Sequence, residues 1–163
     1  MAKEMRRKKL QTSKKEALRV LFESSYGVLA TVSPAGEPRA TAVNAVLIDE
    51  ETLVFHGAPV GEKMENLIAN PAVSYFVVAH EEVLGKDFTT DYLSVSVQGI
   101  AEVVTDDKEK RELLVKLSQH FAPEKTEDDV VNYIYPARMG KVAVVRIKIL
   151  DMKGKYHPAM RTR

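Results

Sequence analysis

The chain has 163 residues, of which 45% are hydrophobic and 29% charged, with a formal net charge of +1. That profile fits one folded unit with a real core, and offers no global field for nucleic acid or an acidic surface. Cysteine is absent, which removes disulfides, thiolate metal sites and cysteine nucleophiles together. With no apolar run long enough to span a bilayer and no apolar leader, the sequence predicts a cytoplasmic protein without a membrane partner.

The first residues are rich in Lys and Arg: Lys3, Arg6, Arg7, Lys8, Lys9, Lys14 and Lys15. No aromatic residue interleaves them, so residues 1–12 read as a solvated basic tail, not a nucleic-acid arm, ahead of a single domain over 13–163. Ser13 to Glu16 has capping-box spacing, and Leu18, Leu21 and Phe22 then recur at helical intervals, predicting a helix over 13–24. Alternation from Val28, with Pro34, Gly36 and Pro38 behind it, predicts a strand and a turn. Residues 39–48 read as a second strand, 49–51 as a turn and 52–56 as a third strand, which together make an antiparallel meander.

Gly61 opens a helix that Asn70-Pro71 stops. The near-continuous apolar run AVSYFVVAH predicts a strand covered on both faces, followed by a polar loop over 80–91 and the long strand YLSVSVQGIAEVV, bulged at Gly99. Asp106 to Glu109 repeats the capping-box spacing and starts a helix to His120. A short helix is expected from Thr126 to Pro136, and KVAVVRIKIL is the last strand, with one face wet. Six strands with helices in no βαβ rhythm predict a mainly β fold with peripheral α, an antiparallel barrel decorated by helices.

Familiar catalytic motifs are missing. Gly57-Ala-Pro-Val-Gly61-Glu-Lys63-Met64 lacks P-loop spacing, no GxGxxG opens a helix, HEEVL fails the HExxH pattern, and no GxSxG occurs. No metal is predicted. What stands out is Lys63, a cation in the first turn of a helix, where the dipole disfavours it by roughly 0.3–1 kcal/mol unless an anion joins it. A phosphate monoester would satisfy both the amides and the ammonium; a solvent-facing Lys63 beside a compensating Glu62 is the plainer alternative. His56 ends the third strand and could bond a ligand or move a proton near neutral pH, or be merely structural. Asn44 is polar in an apolar strand and must face water or bond something specific. The small residues Ala40, Thr41, Ala42 and Ala45 leave room for a flat molecule or a close subunit contact.

The stretches YGVLATVSPAGEPRATAVNAVL, LVFHGAPVGEKMENLIANPAVSYFVV and YLSVSVQGIAEVV resemble the pyridoxamine 5′-phosphate oxidase-like split barrels that bind FMN, nearest to the Nim-type branch associated with nitroimidazole resistance. The resemblance implies a six-stranded split β-barrel, a homodimer with FMN at its interface, and a small-molecule substrate. It assigns Lys63 to the phosphate, the Thr41, Val43, Asn44, Ala45 and Val46 stretch to the flavin ring, and His56, Gly57 and Ala58 to the cofactor lining. Ser94 takes a polar cofactor contact on the later strand, and His56 becomes the candidate catalytic acid/base. True oxidases of this family carry an arginine beside the phosphate lysine and a basic residue at the end of the second strand, where this chain has Glu62 and Val46, and their C-terminal substrate pattern is not recognisable in KGKYHPAMRTR. The implied function is therefore a flavin-dependent reduction of nitroaromatic or other electron-poor compounds, with a non-catalytic flavin- or haem-binding protein as the alternative.

Overall fold

The computed structural model describes residues 4–134 and 141–158. Seven strands form one antiparallel sheet: β1 (Gly27–Val32), β2 (Pro38–Val43), β3 (Ala45–Asp49), β4 (Thr52–Gly57), β5 (Ala72–Leu84), β6 (Thr89–Val103) and β7 (Ala143–His157). Their order is β2-β1-β5-β6-β7-β4-β3. The mainly β class with peripheral helices holds, but the six-stranded closed barrel does not. The expected strand over 39–48 is two strands broken at Asn44, and these two are the opposite edges of the sheet. One residue thus carries the chain from edge to edge, yet among the described residues no ladder joins β2 to β3, so the sheet is open. The reason is local: the Asn44 side-chain amide donates to the Ser25 carbonyl at 2.6 Å, and the chain leaves the β2 register there. Pro38 is tolerated at the start of β2 because its missing N–H costs nothing on an edge.

The helices obey their caps. In α1 (Lys14–Glu23) the Ser13 hydroxyl accepts from the Glu16 amide, and in α3 (Asp107–Phe121) the Asp106 carboxylate accepts from Glu109. The helix α2 (Glu62–Ala69) lies between Gly61 and Asn70 as expected. A turn of helix, α4 (Glu127–Asp129), is closed by a Thr126–Asp129 capping box and runs into a wider helical turn over Val130–Ile134; its expected end at Pro136 lies outside the described residues.

The polar stretch over 80–91 is not a loop: β5 and β6 continue through it as a hairpin, turning at Gly85–Asp87. The expected bulge at Gly99 is present, since the β6–β7 register shifts between Gln98 and Gly99. A Cβ at Gly99 would lie 2.6 Å from both the Ile147 side chain and the Lys148 carbonyl.

The sheet curls around a core to which α1 gives Ala17, Val20 and Leu21, α2 gives Met64 and Leu67, and the strands give Leu29, Phe55, Tyr75, Val97 and Ile147 among others. Each such side chain contributes about 1.5–3 kcal/mol when fully buried. A second cluster forms where α3 places Leu113, Leu114 and Leu117 over Val46, Val54 and Val144. The start of β7 is therefore buried on both faces, and its wet face begins only near Arg146, whose guanidinium reaches Glu102 at 2.9 Å and also Glu109. In β5, by contrast, Phe76 and Val78 are exposed, so the continuous apolar run is covered on one side only within a single chain.

Candidate functional site

The candidate residues come from three pieces of the chain: the end of β4, the start of α2 and the edge strand β2. Ala45 pairs with Phe55 and Val46 with Val54, so Asn44 comes to the same end of the sheet as His56. His56 is exposed and Gly57 half-buried; both pair with the start of β7, opposite Val144 and Ala143. Ala58 and Pro59 then turn the chain into Gly61, whose φ of 109° lies in the region that favours glycine.

Gly61 provides no side-chain cap. Its carbonyl accepts from Met64 at 2.9 Å and Glu65 at 3.1 Å, which leaves the Glu62 and Lys63 amides ahead of the helix ladder, as at any helix start. Lys63 folds back over the core edge, its ammonium 5.2 Å from the centre of the Phe55 ring. A Cβ on Gly57 would sit 3.2 Å from that ammonium, so the glycine makes the room it occupies. Burial draws the Lys63 ammonium below its ordinary pKa, and no carboxylate opposes that effect.

The reason no carboxylate reaches Lys63 lies next door. Glu62, expected to compensate Lys63, is held by Arg39 Nε at 2.6 Å, and the same guanidinium bonds Glu37 at 2.6 Å. Arg39 and Thr41 alternate onto the α2 side of β2. One turn into α2, the Asn66 amide donates to the buried Thr31 hydroxyl of β1 at 3.1 Å, which fixes the rotation of the helix that carries Lys63.

The sequence-predicted residues therefore separate. His56, Gly57, Ala58, Lys63 and the Asn44–Ala45 corner gather at one end of the sheet. Thr41 lies on the exposed β2 edge leading to it, whereas Val43 and Ala45 are buried in the main core as whole residues, which leaves Asn44 as the exposed part of that link. Val46 points away, into the cluster beneath α3. Ser94 is remote within the chain: it pairs with Val78 and with Lys155 near the end of β7, whereas His56 pairs with Val144 at its beginning.

Three contributors were missed from sequence. Arg39 meets Glu62 only through tertiary structure. Asn66 was detectable as a polar residue between Met64 and Leu67 on the inner face of α2. Tyr75 lies in an apolar run, and its ring is buried with its hydroxyl beneath Gly27. Burial pushes the Tyr75 phenol up to about 12, with the nearby Ala45 backbone opposing the rise.

The family model described as pyridoxamine 5′-phosphate oxidase matches residues 13–156. Among solved structures, a conserved hypothetical protein from Mycobacterium tuberculosis superposes with a TM-score of 0.80 at 24% identity, covering 98% of each chain. A candidate 5-nitroimidazole antibiotic resistance protein from Bacteroides thetaiotaomicron superposes with a TM-score of 0.72 at 20% identity, over 88% of this chain and 83% of that one. An FAD and haem binding protein from Mycobacterium smegmatis does so at 0.75 and 19% identity, over 90% of this chain and 73% of that one. At these identities the likeness is one of fold. No curated protein matches the chain.

Proposed function

Because this chain belongs to the pyridoxamine 5′-phosphate oxidase family, we propose that it binds FMN and acts as a small flavin-dependent oxidoreductase on nitroaromatic or other electron-poor compounds, in the manner of the Nim-type branch. The observation that carries this reading is the Lys63 ammonium: half-buried, without a carboxylate partner among the described residues, beside the helix-start amides and a glycine that keeps its space open. A phosphate monoester supplies the missing anion. The exposed Ala40–Ala42 edge of β2, with its small side chains, and the exposed Asn44 beyond it offer a support for the ring.

When bound, the flavin supplies the electron transfer. The protein's own part would be to hold the phosphate with Lys63, support the ring with the β2–β3 corner, and orient or protonate substrate with His56, which stands exposed near the end of β4. Glu62, held by Arg39, and Val46, buried under α3, stand where the family's oxidases carry basic residues, which argues against a vitamin B6 phosphate as substrate. The likeness to the candidate nitroimidazole resistance protein favours an electron-poor nitro compound.

The exposed apolar row supports a homodimer. Val28 pairs with Ala42 and Phe76, Phe76 with Ser96, and Val78 with Ser94, so all share the outer face of the sheet. Val28 is 39% exposed, Phe76 41% and Val78 53%. Ser94, opposite Val78, lies on this face but is itself buried within the chain.

A second reading, flavin or haem binding without turnover, draws on the likeness to the mycobacterial FAD and haem binding protein. Spectral titration with FMN, FAD and haem, followed by a nicotinamide donor and then a nitroaromatic acceptor, separates the two. Bleaching and recovery of bound FMN supports the oxidoreductase; uptake without bleaching supports the binder; no uptake of any flavin refutes both the FMN site and its Lys63 anchor.

A further inference from the structure

The Tyr75 hydroxyl is an unmatched group in a well-packed core. Tyr75 is 1% exposed, and its hydroxyl has no hydrogen-bond partner among the described residues. A phenylalanine would fill the same space without the penalty of burying an unpaired hydroxyl. Its surroundings are specific. The hydroxyl lies 2.7 Å from where a Gly27 Cβ would stand, and the ring's Cζ lies 2.6 Å from it, so only glycine at 27 admits the tyrosine. Gly27 pairs with Val43, the last residue of β2. The Ala45 backbone, first in β3, is near the hydroxyl but outside hydrogen-bond geometry. The tyrosine thus stands under the Val43–Asn44–Ala45 passage that links the two open edges, the same passage assigned to the flavin ring.

We infer that Tyr75 is a positioning residue for this corner: its hydroxyl accepts a full hydrogen bond from the Ala45 amide once a planar ring seats on the β2–β3 link, so ligand binding offsets the cost of burying it. Tyr75 touches neither ligand nor substrate; it acts through the Ala45 backbone. The link can respond because Asn44 is its only residue and no β2–β3 ladder stiffens it. The Asn44 bond to Ser25 holds the outer side of the same turn, and the tyrosine would lock the inner side. This inference rests on the flavin reading above.

The test compares the full-length wild type with Tyr75→Phe, using FMN as the probe. In the free protein the variant should melt at the wild-type temperature or a few degrees above it, because an unpaired hydroxyl has been removed. Its FMN dissociation constant should rise about three- to tenfold, in keeping with one neutral hydrogen bond. Amide exchange at Ala45 should slow on FMN addition in the wild type and not in the variant. Equal FMN affinity in the two proteins, or unchanged Ala45 exchange in the wild type, overturns the inference and leaves the flavin site standing. A variant whose free form loses stability in step with its affinity also overturns it, since Tyr75 would then be purely structural. If the wild type takes up no FMN, the flavin reading and this inference fall together.

Discussion

Replacing Lys63 with methionine keeps an unbranched stem over the Phe55 ring and removes only the charge. In the free protein two small effects oppose each other. The contact between the ammonium and Phe55, at 5.2 Å, is lost, worth about 0.5–1 kcal/mol at a partly exposed site. A cation at a helix start is also removed, which recovers about 0.3–1 kcal/mol. The two nearly cancel, and at about 2–4 °C per kcal/mol for a chain of this size the melting temperature should move by no more than about 3 °C. Ligand binding loses much more. A charge-assisted phosphate contact is worth about 1.5–3 kcal/mol, so at about 1.4 kcal/mol per decade the FMN dissociation constant should rise roughly ten- to a hundredfold. Titration followed by quenching of flavin fluorescence measures the affinity and calorimetric melting the stability. An unchanged dissociation constant would refute the phosphate assignment, and a large fall in melting temperature would show that Lys63 is structural.

Burial alone lowers the Lys63 pKa below its ordinary 10.5, so the free fold gains stability as pH rises through that lowered value toward 10.5. A bound phosphate stabilises the charged form, and FMN affinity should therefore weaken as pH climbs through the lowered Lys63 pKa in the wild type but not in Lys63→Met; parallel slopes in the two proteins would contradict this. His56→Ala should retain FMN while turnover with a nitroaromatic acceptor falls, and equal rates in stopped-flow reoxidation would remove His56 from the chemistry. Asn66→Ala strands the buried Thr31 hydroxyl; it should cost about 1–3 kcal/mol in urea unfolding, and a neutral result would mean that the α2–β1 bond fixes nothing.

What the sequence revealed depended on whether the signal was local. Ser13 and Asp106 announced their helices because a cap and its amide lie three residues apart, and Lys63 was conspicuous because its charge has the wrong sign for a helix start. Gly99 was legible as a bulge because a strand interior rarely tolerates glycine without one. The break at Asn44 was not legible: Val43 and Ala45 are buried and Asn44 exposed, so the alternation runs through the break unaltered, and a continuous strand was the only reading available. The closed barrel failed with it. The outer β5–β6 hairpin read as a loop because both of its faces meet solvent and no period-two pattern forms. The Arg39–Glu62 pair joins residues far apart in sequence, and only the assembled fold reveals that Glu62 is occupied and Lys63 is not.

The unladdered junction at Asn44 also has a mechanical meaning. The two edges of the sheet are joined through Asn44 and share no rungs, so the junction behaves like the gap of a clip, held by the helices and core packed across it and not by a ladder. A guest that wedges there has no ladder hydrogen bonds to displace, while the paired strands behind it keep their register.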